Sequence, residues 1–150
     1  QATITTTKNN YTLDVFNLID IPSESISYKN YFQYIETELT KYLLNDNSEL
    51  TIPKNKKTLQ VTHHEIDSQI TCRKIKTNRY QLEVVCASRL NLLGIIVKEI
   101  NLLGMSVHNA KINTLGQRAE DFFIISSKIK LNLEKRIQTL IKNIRLKVDE

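Results

Sequence analysis

The side chains in this chain that are best suited to catalysis or metal binding are three histidines and two cysteines. His63 and His64 are adjacent, so on a strand they would point to opposite faces and could not bind one metal ion together. His108 lies in an alternating segment with a buried-looking face, where we expect a structural hydrogen bond and not catalysis. Cys72 and Cys86 are expected to be small apolar fillers of paired strands.

Motifs for catalysis are missing from the sequence. The chain has no Gly-Ser followed by paired aspartates, as in nucleotidyltransferases, and no His-Asp pair, as in metal-dependent phosphohydrolases. It also has no glycine-rich phosphate loop and no Cys-x-x-Cys. We therefore expect no catalytic residue, metal site or cofactor site in this chain.

Residues 80–126 form the segment that must position the polar groups. Residues 80–86 alternate polar and apolar side chains, as in a strand with one buried face, and a polar break follows. Apolar residues from Leu92 to Leu103 have helical spacing, and Gly104 follows where a left-handed cap is expected. Two more strand patterns, at 105–115 and 119–126, flank a turn. The order strand, helix, strand, strand begins a ferredoxin-like unit, an α+β fold.

The hairpin in this segment carries a resemblance to a known family. Residues 107–123 read V-H-N-A-K-I-N-T-L-G-Q-R-A-E-D-F-F. They resemble the last ACT domain of the bacterial bifunctional uridylyltransferase/uridylyl-removing enzymes, which modify the nitrogen signal protein PII. That family's hairpin reads much like L-H-x-A-K-I-x-T-L-G-E-R-x-E-D-x-F, so Gln117 stands where the family has glutamate. The resemblance implies ferredoxin-like ACT units in tandem, each with a four-stranded antiparallel sheet and two helices.

The beginning of the chain repeats the same theme. The matching residues are Ala2, Ile4, Asp14 and Phe16 in the first copy and Ala110, Ile112, Asp121 and Phe123 in the second. Because the family has two ACT domains at its C-terminus, residues 1–50 are predicted to be the second half of a first ACT domain, truncated so that its opening strand and helix are absent. A helix is predicted over Asn30–Leu44. Residues 51–67 are predicted to be a linker plus the fourth strand of this first unit, at Thr58–His64.

Residues 68–150 are predicted to be the second ACT domain. After its hairpin the chain offers only a final helix over 131–148, so no fourth strand remains behind it. A hairpin could instead supply the fourth strand from the front, with residues 68–75 pairing with 80–87. The truncated first unit has unpaired strand edges, so we expect it to borrow order from the second unit or from another chain, and a homodimer is one expected partner.

The resemblance also implies a ligand site. ACT domains bind an amino acid where the loop after the first strand meets the adjoining unit, because backbone N–H groups at the helix start can receive the carboxylate. The family's loop resembles D-R-P-G-L-L, whereas residues 88–93 here read S-R-L-N-L-L. Loss of the acid removes a charge-assisted bond of about 1.5–3 kcal/mol, and Asn91 could cap the helix, contact a ligand amide or block the approach. The implied ligand-binding residues are Ser88, Arg89, Asn91, Leu92, Leu93, His108 and Asn109.

Two functional readings stay open at this point. In the first, L-glutamine is an effector that biases the tandem ACT units and so switches catalytic domains that act on PII, require Mg²⁺ and lie outside this chain. In the second, the altered loop has decayed and the tandem is only a structural or protein-interaction module. Binding of L-glutamine separates the two readings.

Nucleic acid and membranes are not expected partners. The formal net charge of +5 invites an RNA-binding reading, but an RNA-recognition sheet would need exposed stacking aromatics on its central strands, and residues 82–85 contain none. The first residues have neither the basic start nor the apolar core of a signal peptide, and no apolar run approaches the roughly 20 residues that a bilayer demands. With only two cysteines, the sequence predicts a cytoplasmic location.

Overall fold

The computed structural model describes residues 1–7, 9, 11–17, 28–45, 66–127, 129 and 131–149, and for 28–30 it describes the backbone alone. The chain divides into two compact units. One contains residues 1–17 together with 53–150, and the other contains residues 18–52. In the described residues, the larger unit, 1–17 with 53–150, holds a β-sheet and two helices, and the smaller unit, 18–52, holds one helix.

Among the described residues, the sheet of the larger unit has six strands, all antiparallel to their neighbours, in the order β2-β1-β5-β6-β4-β3. The predicted α+β class is confirmed, but the sheet has six strands and not the predicted four. The strands are β1 (Ala2–Thr6), β2 (Thr12–Phe16), β3 (Gln69–Lys76), β4 (Arg79–Ala87), β5 (Met105–Leu115) and β6 (Arg118–Ser127).

The two additional strands come from the N-terminal hairpin, which pairs with the edge of β5. Ala2 lies opposite Ile112, and Ile4 lies opposite Ala110. These four residues are the ones that the internal repeat made equivalent, so the two copies meet about a local pseudo-two-fold axis. The exposed edge of β5 would otherwise leave a row of backbone donors and acceptors unpaired. The hairpin thus pairs with the second copy of the repeat, which is one of the two arrangements that the sequence predicted.

The predicted hairpin at the front of the second copy is present. β3 pairs with β4 from Gln69 opposite Val85 to Lys76 opposite Arg79, with an irregularity between Lys74 and Lys76. Asn78, in the turn, has a left-handed φ of 57°, which asparagine tolerates better than most residues. The pairing of 68–75 with 80–87 is therefore confirmed. The predicted strand at 58–64 and most of the predicted linker at 51–67 lie outside the described residues, and the domain boundaries stay predictions.

Two helices cover one face of the sheet. They are α2 (Leu92–Leu102) and α3 (Leu133–Val148), and Gly104 has a φ of 63°, as expected for the cap that ends α2. Fully buried side chains from both layers form the core between helices and sheet. The largest are Leu82, Phe123 and Ile125 from the sheet, Ile96 and Ile100 from α2, and Leu140 and Ile144 from α3.

The smaller unit contains α1 (Tyr28–Leu44), which begins two residues earlier than predicted. The hydroxyl of Thr37 donates to the carbonyl oxygen of Gln33 over 2.8 Å, which is a common bond within a helix. Phe32 and Leu43, two large apolar side chains of this helix, are 64% and 80% exposed. No helix among the described residues is both long enough and apolar enough to cross a bilayer.

A β-bulge changes the predicted orientation of one side chain. The register of β5 against β6 shifts between Val107 and Asn109, so His108 is an extra residue on β5. Its ring contacts Ser126, which alternates with the core residue Ile125 and therefore lies on the opposite side of the sheet. We call this side, opposite α2 and α3, the far face. The alternation in the sequence predicts a buried-looking face for His108, but its ring contacts Ser126 on the far face because the inserted residue breaks the alternation.

Candidate functional site

The loop of residues 88–91 connects the end of β4 to the start of α2, and it is tied to the neighbouring β5–β6 turn. The backbone N–H of Ser88 donates to the carbonyl oxygen of Gln117 over 2.6 Å. This contact uses only backbone atoms. Gln117 can therefore replace the glutamate of the resembling family without loss of this bond.

Asn91 gives the loop its sharp turn into α2. It adopts a left-handed conformation, with φ 61° and ψ 15°, at the position where the resembling family has glycine. Asparagine is among the few residues with a side chain that enter this region readily, so the substitution preserves the backbone shape. The carbonyl oxygen of Asn91 accepts the bond from Ile95 N over 3.0 Å that starts the helix.

The side chain of Asn91 makes no capping hydrogen bond to α2, so capping, one of the three roles that the sequence left open for it, is not observed. The first N–H groups of an α-helix have no partner within the helix. Those of Leu92 and Leu93 lie in this first turn, at the positive end of the helix dipole. The loop thus presents backbone donors suited to a carboxylate.

Arg89 joins the loop to the end of α3. Its Nη1 donates to the carbonyl oxygen of Lys147 over 2.7 Å, in the last turn of that helix. The guanidinium therefore lies where the α3 dipole is negative, which is favourable. Arg136, from the first turns of α3, makes the reciprocal contact by donating to the carbonyl oxygen of Leu103 at the end of α2. We call these two contacts the arginine clamps.

An ion pair between a buried carboxylate and a half-exposed lysine lies between the same two helices. Glu99 of α2 is 3% exposed, and its Oε1 lies 3.1 Å from Nζ of Lys147. Its Oε2 accepts a hydrogen bond from Nδ2 of Asn143 over 3.0 Å. Lys147 therefore takes part in both the ion pair and the Arg89 clamp. Movement of the loop at 88–91 would therefore displace the end of α3.

Asp121 is a buried carboxyl that the sequence analysis did not identify as a site residue. It is 1% exposed, its Oδ1 accepts a bond of 3.3 Å from the backbone N–H of Asn113, and its Oδ2 has no partner among the described residues. Burial raises its pKa to about 6, against a smaller lowering by the Asn113 bond. A signal was present in the sequence, since an aspartate takes a core position between Ala119 and Phe123.

The two cysteines are thiols in their surroundings. Burial raises the pKa of Cys72 to about 11. Burial also raises the pKa of Cys86 to about 11, with the charge of Asp121 adding to it, Arg89 opposing it and Asp149 adding a little. Because the thiolate is the nucleophile and the metal ligand, neither group is activated at neutral pH. These shifts fit the expectation of small apolar fillers.

The structure divides the predicted ligand-binding residues between two places. Ser88, Arg89, Asn91, Leu92 and Leu93 lie together at the end of β4 and the start of α2. His108 and Asn109 lie near the opposite end of the sheet, where Asn109 aligns through Ile124 with Gln81. Gln81 precedes Ser88 by seven residues of extended chain, about 23 Å at the rise of a strand. One small ligand cannot contact both groups.

In the part of the chain that the structure describes, no three side chains of histidine, cysteine, aspartate or glutamate come together in a way that could hold a metal ion.

Comparison with known proteins identifies a family. The chain is 33% identical over 139 residues to the bifunctional uridylyltransferase/uridylyl-removing enzyme of Nitrosospira multiformis, a match that spans 92% of this chain and 16% of that protein. The enzyme of the same name from Thiobacillus denitrificans is 32% identical over 126 residues, which is 83% of this chain and 15% of the relative. For Legionella pneumophila the identity is 29% over 143 residues, 95% of this chain and 17% of the relative.

No protein-family model matches the chain, and no solved structure matches it. The chain spans about a sixth of the length of the relatives above. Within that span the similarity runs through nearly all of its residues. The chain therefore belongs to the bifunctional uridylyltransferase/uridylyl-removing enzyme family, as the counterpart of one segment of those proteins.

Proposed function

We propose that this chain is a regulatory, glutamine-sensing ACT region of an enzyme that uridylylates and deuridylylates the protein PII. The observation that carries the proposal is the loop at 88–93, where the first-turn backbone N–H groups of α2 lie beside an arginine in a chain of this family. The proposal assigns binding and signalling, and no chemical step, to these residues.

The arrangement of the elements supports ACT units in tandem. Strands β3 to β6 lie in the order β5-β6-β4-β3, with α2 and α3 on one face, as in a ferredoxin-like unit. The hairpin β1–β2 supplies the equivalent of β5–β6 from the other copy of the repeat. Its pairing with β5 places the two copies side by side in one sheet. A second copy of the whole chain remains an expected partner.

Recognition of glutamine at this loop would use opposite charges at the two ends of its amino-acid backbone. The N–H groups of Leu92 and Leu93 receive the carboxylate. The ammonium group requires an anion, which the loop lacks because Ser88 stands where the resembling family has an acid. Asp149 follows the last residue of α3, and both it and Arg89 act on the pKa of Cys86 at the base of the loop. We assign the ammonium contact to Asp149.

Signalling follows from the contacts of the loop. Glutamine must bind one arrangement of the units more tightly than another, because a ligand with equal affinity for both shifts nothing. The Arg89 clamp and the Glu99 ion pair both reach Lys147. Glutamine bound at the loop would therefore shift the position of the end of α3. Through the bond between Ser88 and Gln117, it would also shift the β5–β6 turn.

Calorimetric titration tests the proposal. L-Glutamine should give saturable heat with the 150-residue chain, whereas L-glutamate and L-alanine should bind more weakly. Asp149→Asn should weaken glutamine binding about tenfold, the loss expected for one charge-assisted bond. Glu134→Gln, which removes one acid at the other, exposed end of α3, is the matched control and should leave the affinity unchanged.

A scaffold is the second candidate function, and one observation favours it. The Nη1 of Arg89 is already bound to Lys147, and the acid of the resembling loop is absent at Ser88. In this reading the tandem only holds partner domains or proteins. The absence of heat with millimolar glutamine, from a chain shown to be folded by circular dichroism, would favour the scaffold and reject glutamine sensing.

A further inference from the structure

Arg79, at the start of β4, has one guanidinium nitrogen that lacks a hydrogen bond within the part of the chain that the structure describes. The residue is half-buried, and its Nη1 is inaccessible to solvent with no hydrogen-bond partner among the described residues. Arginine carries five N–H donors and is always charged. A buried donor that loses its water without gaining a partner is destabilising. Such a group is a natural place for an anion to bind.

The sheet register places Arg79 next to Ser126 on the far face. Tyr80 lies opposite Ile125, so the next position aligns Arg79 with Ser126. The backbone N–H of Ser127 donates to Oδ1 of Asn78 over 3.2 Å, which shows that the alignment continues into the turn. Neighbouring strands lie about 4.8 Å apart, a separation that an arginine side chain easily spans.

The third group comes from β5. Nε2 of His108 lies 2.6 Å from Oγ of Ser126, which is 9% exposed. The bulge at His108 makes this contact possible by turning its ring to the far face. When Nε2 carries the proton and donates to Ser126, the serine hydroxyl is free to donate onward. Arg79 and His108 thus lie on the two strands that flank Ser126 in the sheet.

Near Arg79, the charged residue that β3 adds to this part of the far face is also an arginine. Arg73 of β3 donates from Nη2 to Oε1 of Gln81 over 3.1 Å, and Gln81 is two residues from Arg79 on the same face. Along β4 the first acid on this face is Glu83, four residues from Arg79 and therefore about 13 Å away. Neither the loop at 88–91 nor the core uses any of these groups.

We propose that Arg79, Ser126 and His108 form a binding site for a phosphate-class oxyanion on the far face. The guanidinium provides charge and parallel N–H donors, and the Ser126 hydroxyl adds a donor from the neighbouring strand. Donors that approach from different strands suit a tetrahedral anion better than a planar carboxylate. The site shares no residue with the loop at 88–93, so phosphate binding and glutamine binding can be tested separately.

Two-dimensional ¹⁵N–¹H NMR of the whole chain, titrated with inorganic phosphate at constant ionic strength, tests the site. The signals of Arg79, Ser106, His108 and Ser126 should shift and saturate, where Ser106 is included because it pairs with Ser126. Acetate at the same concentrations should produce much smaller shifts at these residues. Equal shifts with acetate, or shifts that grow linearly over many surface lysines, would overturn the proposal.

Variants make the test specific. Arg79→Gln should weaken phosphate binding at least tenfold, whereas Lys98→Gln, which removes one exposed positive charge from α2, should not change it. Ser126→Ala is a second variant that keeps the strand and removes the hydroxyl, and it should also weaken binding. Unchanged phosphate affinity in either Arg79→Gln or Ser126→Ala would reject the site, and L-glutamine affinity should be the same in both.

Discussion

At the residue scale, two polar side chains hold unusual positions for opposite reasons. Asn91 takes a left-handed backbone conformation that few side chains accept. Asp121 keeps a carboxyl in the core at the expense of its ionised form. The sequence shows both as departures from an expected pattern, a side chain in place of glycine and an aspartate among apolar residues. Neither the backbone angle nor the protonation could be read without the fold.

Asp121→Asn should alter how stability depends on pH. Because burial raises the folded-state pKa of Asp121 to about 6 from 3.8, the protonated form is favoured in the folded chain, and this carboxyl makes stability fall as pH rises from about 4 to about 6. Asparagine lacks this dependence. Relative to wild type, the variant should therefore gain stability over this range, by up to about 3 kcal/mol. Urea unfolding at pH 4.5 and 7.5 measures the change, and an equal difference at both pH values would contradict the raised pKa.

Asn91→Ala and Asn91→Gly form a matched pair for the turn into α2. Alanine should destabilise the chain by about 1–2 kcal/mol, because a Cβ without a compensating polar group is unfavourable in the left-handed region. Glycine should be close to neutral. Thermal unfolding followed by circular dichroism distinguishes the variants, and equal melting temperatures for alanine and glycine would argue against the left-handed conformation.

At the element scale, the arginine clamps fasten the two antiparallel helices at both ends. Arg136 also donates to Oγ of Ser127 and to the carbonyl oxygen of Ile129, each over 2.9 Å. It therefore joins the end of β6, the end of α2 and the start of α3. Helix carbonyls near a C-terminus have no partner within the helix, which explains why one guanidinium can have so much structural effect.

Arg136→Gln should be strongly destabilising. It removes hydrogen bonds to three acceptors and leaves the half-buried carbonyl of Leu103 unsatisfied, so we expect a loss of about 2–4 kcal/mol in the free energy of unfolding. Arg145→Gln, at an exposed position on the same helix, should change it by less than about 0.5 kcal/mol. Denaturant unfolding gives both values. Equal effects of the two variants would show that Arg136 does not clamp the helices.

The sequence predicts the strands, the helices and their caps better than it predicts irregularities within them. Alternation and helical spacing located β5 at 105–115, the pairing of 68–75 with 80–87, and the cap at Gly104, because each depends on local pattern. The bulge at His108 was missed, since no glycine or proline marks it and only the partner strand reveals the extra residue. The family resemblance grouped His108 with the loop residues, whereas they lie at different ends of the sheet.

At the scale of the whole molecule, the central feature is the addition of the N-terminal hairpin to β5. β1 lies between β2 and β5 and pairs with both, so its backbone is an interior part of the sheet. The sequence repeat predicted that the first copy would need a partner. It could not specify that the equivalent strands would pair with each other, because that choice depends on long-range contacts.

Thr3→Pro should detach the hairpin without unfolding the core. Thr3 lies opposite both Val15 and Lys111, and proline in an interior strand removes a ladder hydrogen bond. Amide hydrogen exchange of the β5 groups bonded to β1 should accelerate, while exchange in α3 should stay slow. Thr3→Val, which suits a strand, is the control. Slow exchange throughout β5 in the proline variant would mean that the hairpin contributes little.

The most direct test of the central claim is a titration of the isotopically labelled chain with L-glutamine, followed by two-dimensional ¹⁵N–¹H NMR. The account predicts saturable shifts in the amides of Ser88 to Leu93 and of Lys147, whose carbonyl holds Arg89, with little change at His108 or Ser126. Spectra without change at millimolar glutamine, or shifts confined to the far face, would contradict it.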